Sequence, residues 1–480
     1  MAKNGKHGRR WIALSIVLLL LVGLVGYVLW SRLLREQPLH YEAAMDQFKY
    51  GSIGTEKDGL RVPFWIWLVL PRIFPEYLPG PGGYVSLGFA WEEGHELPIG
   101  LTKKVIGQPM VGINCALCHT ATVRKDKYTK PDIYPTAPAH QFDTQGYFRF
   151  LFACASDPRF NADNILGAIA PNYDMGFIDR LLYRYILIPQ TRKGLLDFKK
   201  EMSWMDDRPD WGRGRIDPFN PAKFRYLGIP VDDTIGNADN MSVWNMRPKV
   251  ENGYHYHWDG LLDGPLQEVV LSSALGDSVT PDTLPLDDLK RIQDFLMDAP
   301  VPPYPYTIDQ QLASAGEVVF QANCADCHAI GGARTGSVIP IDEIGTDPHR
   351  MDSWTEASVA AYNSYADEYP WSFTHFQKNE GYNATLLDGI WLRGPYLHNG
   401  SVPTLTDMLE PPANRPSVFW RGYDVYDQEK VGFVSQGEDA ERYGWKLDIS
   451  VPGNSNSGHL YGTDLSAEDK QALVEYLKTL

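Results

Sequence analysis

With 480 residues, 44% of them hydrophobic, the chain is long enough to bury two or three cores. Its 44 Lys and Arg against 60 Asp and Glu leave a net charge of -16, which argues against nucleic acid or an anionic lipid surface as a partner. The same balance suits a protein partner with a basic face, and equally serves plain solubility.

Trp11 to Trp30 is an uncharged, almost wholly apolar run of 20 residues, enough for one bilayer crossing. Lys3, Lys6, Arg9 and Arg10 precede it, while Arg32 and Arg35 follow, so the positive-inside bias makes 1–10 a cytoplasmic tail. The exit GYVLWSRLL is bulky where a cleaved signal would end small-x-small, so 11–30 reads as an uncleaved signal anchor rather than a cleaved signal. Residues 31–100 read as a membrane-proximal lead-in, with PRIFPEYLPGPGGY punctuated by Pro and Gly as loop.

The stretch WEEGHELPIGLTKKVIGQPMVGIN leads through Gly and Pro turns into Cys115-Ala-Leu-Cys-His119, and a second pentapeptide, Cys324-Ala-Asp-Cys-His328, follows later. C-x-x-C-H is the attachment signature of c-type haem. Two thiols three residues apart each form a thioether to a porphyrin vinyl group, and the adjacent histidine ligates the iron from the proximal side. Cys115, Cys118, Cys324 and Cys327 are therefore the expected attachment residues, His119 and His328 the proximal ligands, and two covalent haems the expected cofactors. A zinc or redox C-x-x-C is the bland alternative; the immediate histidine in both copies weighs against it. Cys154 is left single, so no disulfide forms; it reads as a buried apolar thiol.

Residues 101–300 are expected to form the first haem domain, with insertions. In it GYFRFLFACAS and MGFIDRLLYRYILI look helical, and LPLDDLKRIQDFLMDAP closes it with Leu289, Ile292, Phe295 and Leu296 on one face. PVPPYPYT is a linker, since consecutive prolines cannot continue a helix. Residues 308–480 are expected to form the second haem domain, from a helix with a stripe of Ala315, Val318, Val319 and Phe320 to a helix capped at Ser466. The fold class expected is mainly α: two class I cytochrome c-like haem domains with long loop-rich insertions, plus one N-terminal transmembrane helix.

The halves repeat each other weakly: LDDLKRIQDFL matches AEDKQALVEYL, and VWNMRPKVENGYHYHWDG echoes IWLRGPYLHNG. In the class I layout the sixth iron ligand comes from the loop before the closing helix. In the second half that loop, VPGNSNSGHLYGTDLS, offers His459, with His398 as the alternative. The equivalent first-half loop, SSALGDSVTPDTLPLDD, holds no His, Met, Lys or Cys, so the first haem is expected to keep an open face unless Met175, Met241, Met246, His140, His255 or His257 fills it. Trp244, Arg247 and His257 are placed near the haem edges as candidate catalytic residues: the indole to relay electrons, the guanidinium to stabilise developing negative charge. Packing of Trp244 and Trp258 in the core, and pairing of Arg247 with a propionate, is the bland reading; Trp391 and Arg393 carry the same ambiguity.

The paired C-x-x-C-H, the pattern AxxGxxxFxxxCADCH and above all RGPYLHNGSVPTLTDML resemble the di-haem cytochrome c peroxidase/MauG superfamily. The wide haem spacing, HWDG and GHLYGTDLS are closest to its rubber oxygenase (RoxA-like) branch. The resemblance implies an active first haem, an electron-transfer second haem, and haem attachment on the outer face of a bacterial inner membrane. The haem domains are thus expected in the periplasm, tethered by a single pass, with peroxide or O2 as small-molecule oxidant and a redox protein as electron donor or acceptor. The superfamily's peroxidases also bind calcium between the haems, though no residues here identify such a site. Two departures stand out: no Met after His398 beyond Met408 suggests a peroxidase-type ligand, and rubber oxygenases are secreted rather than tethered. The reading is a redox enzyme at the first haem; the alternative is an electron-transfer subunit with both irons six-coordinate, and a MauG-like oxidation of a partner protein comes third.

Overall fold

The computed structural model of the chain describes residues 4–58, 61–369, 371–372 and 374–480. It opens with a helix, Asn4–Leu33, of which Arg10–Leu33 is long and apolar enough to cross a membrane and whose most apolar stretch is left exposed.

Two helix crossings frame the rest. In the first, Ala44–Tyr50 lies across Leu286–Met297, with the rings of Phe48 and Phe295 5.6 Å apart and Leu289, Ile292 and Leu296 buried on the expected face. Ala44–Tyr50 falls inside the stretch expected to be a separate lead-in. The boundary drawn at residue 101 is therefore not a boundary in the fold: Phe48 is fully buried, and the Lys49 carbonyl accepts from Gly100 N–H. The same region supplies a buried helix, Phe64–Ile73, which packs with Thr144–Ser156, Ala162–Ile169 and the long helical stretch from Phe177 to Glu201. Cys154 is fully buried in that aromatic-rich core.

In the second crossing, Gln310–Asn323 packs on Ala467–Leu477, whose N-cap Ser466 accepts from Asp469 N–H as the sequence suggests. The buried face is Ala313, Gly316 and Phe320, and Val318 is 70% exposed, so the stripe read from the sequence was set on the wrong phase. The reason is Gly316. A Cβ there would lie 1.9 Å from the Ala472 carbonyl oxygen, so the helices touch backbone to backbone at a residue that no hydrophobic count can register.

The expectation of a mainly α chain also needs correcting: the fold is mixed. Leu101–Ile106 and Gln108–Ile113 form a hairpin, joined by Val62–Pro63 into a three-stranded sheet that delivers the chain to the first C-x-x-C-H. Thr120–Val123 pairs with Asp132–Pro135, and Val418–Arg421 with Trp445–Asp448. Only the first of these, the hairpin, lies in a stretch that Gly and Pro punctuate; the others are short strands that no expectation from the sequence covers. They run through or beside the cores, where backbone N–H and C=O groups need partners, and a two-stranded ladder supplies them.

Gly316→Ala is expected to destabilise the second crossing by about 1–3 kcal/mol through overpacking. Thermal unfolding followed by haem absorbance should show the lower Tm; an unchanged Tm would mean that the helices part without cost.

Candidate functional site

Each C-x-x-C-H is held from behind. Asn114, 2% exposed, accepts from Ala116 N–H through Oδ1 (3.0 Å) and donates through Nδ2 to the carbonyls of Lys49 (3.3 Å) and Gly51 (3.0 Å), fixing the first motif to the crossing helices. His119 then donates from Nδ1 to the Met241 carbonyl at 2.7 Å. In the second half His328 donates from Nδ1 to the Thr385 carbonyl at the same 2.7 Å. A main-chain carbonyl can only accept, so each ring carries its proton on Nδ1 and turns a bare Nε2 the other way. Burial holds both imidazoles below their usual pKa, which favours the neutral, ligating form.

The two rings face different surroundings. His459, held at a positive φ of 47°, presents its ring to His328 with centres 6.3 Å apart. An iron gripped between two imidazole nitrogens at about 2 Å each sets ring centres about 6 Å apart, so this pair fits a metal between them. Burial pushes His459 down to about 4, and its Nδ1 is buried without a partner. His398 is placed otherwise: it stacks on Tyr382 at 3.9 Å, and its carbonyl accepts from Asp239 N–H.

His119 instead lines a large cavity with Cys115 and Cys118, walled by Phe48, Phe148, Phe219, Trp354 and Phe376. Its polar lining includes His257, Lys249 and Arg350. His257 sits at a positive φ of 65°, burial pushes it down to about 4, and its Nε2 has no partner. Burial likewise pushes Lys249 down to about 8, and Arg350 pairs with Asp259 of the HWDG segment at 3.2 Å. Of the side chains that the sequence offered as a sixth ligand in the first half, Met175 lies in the aromatic core, His140 stacks on Phe433 at 3.4 Å and His255 bonds the Gly260 carbonyl at 2.8 Å. Met241, Met246 and His257 do line the cavity, but Met241 sits behind His119, on the side from which its carbonyl grips the ring.

Between the sites lies Trp244, 1% exposed, three residues beyond Met241. Its indole N–H donates to the carbonyl of Asp388 at 3.2 Å, and Asp388 is three residues beyond Thr385. Arg393 lies over the Trp244 ring at 5.5 Å and pairs with Asp388 at 2.5 Å, while Trp391 is fully buried and bonds the Pro302 carbonyl. Trp258 donates to the Asp239 carbonyl. Arg247 is not brought to this junction: it is exposed and paired with Asp298 at 2.6 Å, and Lys249 takes the buried cation's place. Sequence reasoning passed over Lys249, whose signal was faint beside the neighbouring Arg, and the Met241 and Thr385 carbonyls, which no side chain marks.

The halves are also locked by a fully buried ion pair, Asp239 with Arg421; Arg421 and the neighbouring Arg215 both donate to the Asn399 carbonyl at 3.4 Å, and Arg215 also bonds the carbonyl of Trp211 and the side chain of Asn454.

Residues 381–421 match a family described as RoxA-like, cytochrome c-like. That segment carries the Thr385 carbonyl, Arg393, His398 and Arg421, so it is the backing of His328 and half of the lock. The uncharacterised protein y4iM of Sinorhizobium fredii is 30% identical over 324 residues, covering 57% of this chain and 71% of that protein. The chain belongs to the y4iM family. A second Sinorhizobium fredii protein, y4iJ, is 30% identical over 238 residues, and the chain spans 36% of itself and 39% of y4iJ in that match. The cytochrome c-like domain of this y4iM relative implies covalently bound haem iron, and the geometry at the motif cysteines and histidines fits that group.

Asp239→Ala leaves the Arg421 guanidinium buried without its carboxylate, which is expected to cost about 3–5 kcal/mol. Urea unfolding is the readout. A loss under ~1 kcal/mol would show that the lock between halves is dispensable.

Proposed function

We propose that the protein is a di-haem c-type cytochrome acting as a redox enzyme, tethered by its N-terminal helix to a bacterial inner membrane with the haem domains in the periplasm. In this reading Cys115 and Cys118 hold the first haem and Cys324 and Cys327 the second, with His119 and His328 as proximal ligands and His459 as the sixth ligand of the second. The observation that carries it is the contrast between the two motif histidines: a second imidazole stands 6.3 Å from His328, while His119 lines a large cavity. When bound, c-type haem supplies one-electron chemistry and, where its iron is open, a place for a small oxidant such as peroxide or O2.

The chain's own residues supply the rest. Asn114 and the Met241 carbonyl fix the first proximal ring. The aromatic wall of Phe48, Phe148, Phe219, Trp354 and Phe376 excludes water. Lys249, its ammonium weakened by burial, and Arg350 provide positive charge where negative charge develops. His257, neutral and with a bare Nε2, accepts or holds a proton in the same cavity. Trp244, bonded across to Asp388 between the carbonyls that grip His119 and His328, is the natural route for electrons between the halves. The second motif is the more exposed, with Ile330 at 64% and Leu460 at 59% beside it, which suits contact with an electron-donor protein.

One observation favours a second reading, an electron-transfer subunit with both irons six-coordinate: His257 lines the cavity with a free Nε2 and would make the missing ligand if it reached the first iron. Carbon monoxide titration of the reduced full chain separates them. The proposal expects one equivalent bound per chain, rising to two in His459→Ala. No binding to the wild type, with binding restored by His257→Ala, would establish the electron-transfer reading instead.

A further inference from the structure

The N-terminal helix does not leave its apolar stretch on a free linker. Its last turn lies on the turn of the hairpin that leads to the first motif: Gly107, at a φ of 66°, lies so close that a Cβ there would be 2.3 Å from the Arg32 carbonyl carbon. Gly107 N–H donates to the Arg35 carbonyl at 2.8 Å and Gln37 N–H to the Val105 carbonyl at 2.9 Å. The Arg32 side chain pairs with Asp179 at 3.0 Å, and Gln108 donates to the other Asp179 oxygen at 3.2 Å. Asp179 is itself only 7% exposed.

Asp179 belongs to the helical stretch running from Phe177 to Leu187. Leu182 and Tyr183 face inward, whereas Phe177 is 77% exposed, Ile178 46%, Leu181 40% and Tyr185 70%. Spaced by one, three and four residues, these four share one side of the helix. Phe177 and Ile178 lie within one helical turn of the residue that clasps Arg32. Large exposed apolar side chains, outside the N-terminal helix itself, are nowhere else among the described residues this dense in sequence.

We propose that Phe177, Ile178, Leu181 and Tyr185 form a membrane-contact surface, seated in the interfacial layer of the same bilayer that the N-terminal helix crosses. The inference rests on the reading of that helix as a membrane span and adds that the first-motif half lies on the membrane in a fixed orientation. The occupant is lipid because Phe177 and Ile178 lie within one helical turn of Asp179, which pairs with Arg32 at the helix exit, and because aromatic and aliphatic side chains beside Arg180 and Arg184 are what the boundary between headgroups and acyl chains accepts. Insertion is by apolar burial, so it is compatible with the chain's overall negative charge.

The test uses the full chain reconstituted in vesicles of phosphatidylethanolamine and phosphatidylglycerol, with the lipids spin-labelled near the top of the acyl chain. Single cysteines from Leu181→Cys and Tyr185→Cys carry an environment-sensitive fluorophore; Leu24→Cys reports the crossing helix, and Tyr128→Cys, at a residue 87% exposed, is the aqueous control. The buried Cys154 stays unlabelled. Labels at 181 and 185 are expected to lose most of their emission, that at 128 none, and the result is expected to survive replacement of phosphatidylglycerol by phosphatidylcholine. Quenching at 24 without quenching at 181 and 185 overturns the surface and leaves the anchor standing; no quenching at 24 overturns the anchor and the surface with it. Quenching at 181 and 185 that needs phosphatidylglycerol would mean electrostatic adsorption and also overturn the proposal, as would emission at these sites that responds to protein density but not to spin-labelled lipid, the mark of contact between copies.

Discussion

One hydrogen bond, made twice, sets up the centre of this molecule. A histidine can present Nε2 to a metal in a fixed direction only if Nδ1–H is satisfied elsewhere, and here the acceptor is a main-chain carbonyl far along the sequence: Met241 for His119, Thr385 for His328. A carbonyl cannot rotate away or titrate as a side chain can. The tautomer and aim of each ring are thereby written into the backbone, and the segments that supply the carbonyls must be held in turn. Trp244 against Asp388, and Asp239 against Arg421, do that holding, which is why the halves meet where they do.

With both rings aimed alike, function turns on what stands opposite. His459 is carried to His328 by a loop with a left-handed residue at its tip, next to a motif that is partly exposed. The first motif is flanked by aromatic walls and faces a cavity whose polar lining includes His257, Lys249 and Arg350. In the proposed function the His328 site would pass electrons near the surface and the His119 site would admit a small molecule. The N-terminal helix meets the fold at the hairpin leading into the first motif, so the apolar helix and that motif are joined by direct backbone contact.

Much of this was legible in the residues. The two C-x-x-C-H motifs and the closing helices are local patterns, and of the two histidines offered for the second half, His459 is the one whose ring faces His328. What failed did so for identifiable reasons. Arg247 and Lys249 are two residues apart on a short helix, a rotation of about 200°, so choosing between them needs the tertiary face rather than the charge. Gly316 brings two helix backbones into contact yet adds nothing to a hydrophobic stripe, so the apolar residues alone point to the wrong face. Gly- and Pro-punctuated stretches looked like loop because punctuation marks only the turn of a hairpin, not the pairing on either side of it. The gripping carbonyls carry no side-chain signal at all.

In the proposed function the iron held at Cys115 and Cys118 keeps an open face while the other does not. Electron paramagnetic resonance of the oxidised full chain, with spins counted against the total haem, tests this most directly. Equal amounts of high-spin and low-spin ferric haem are what the structure leads us to expect. Two low-spin haems and no high-spin signal would contradict it.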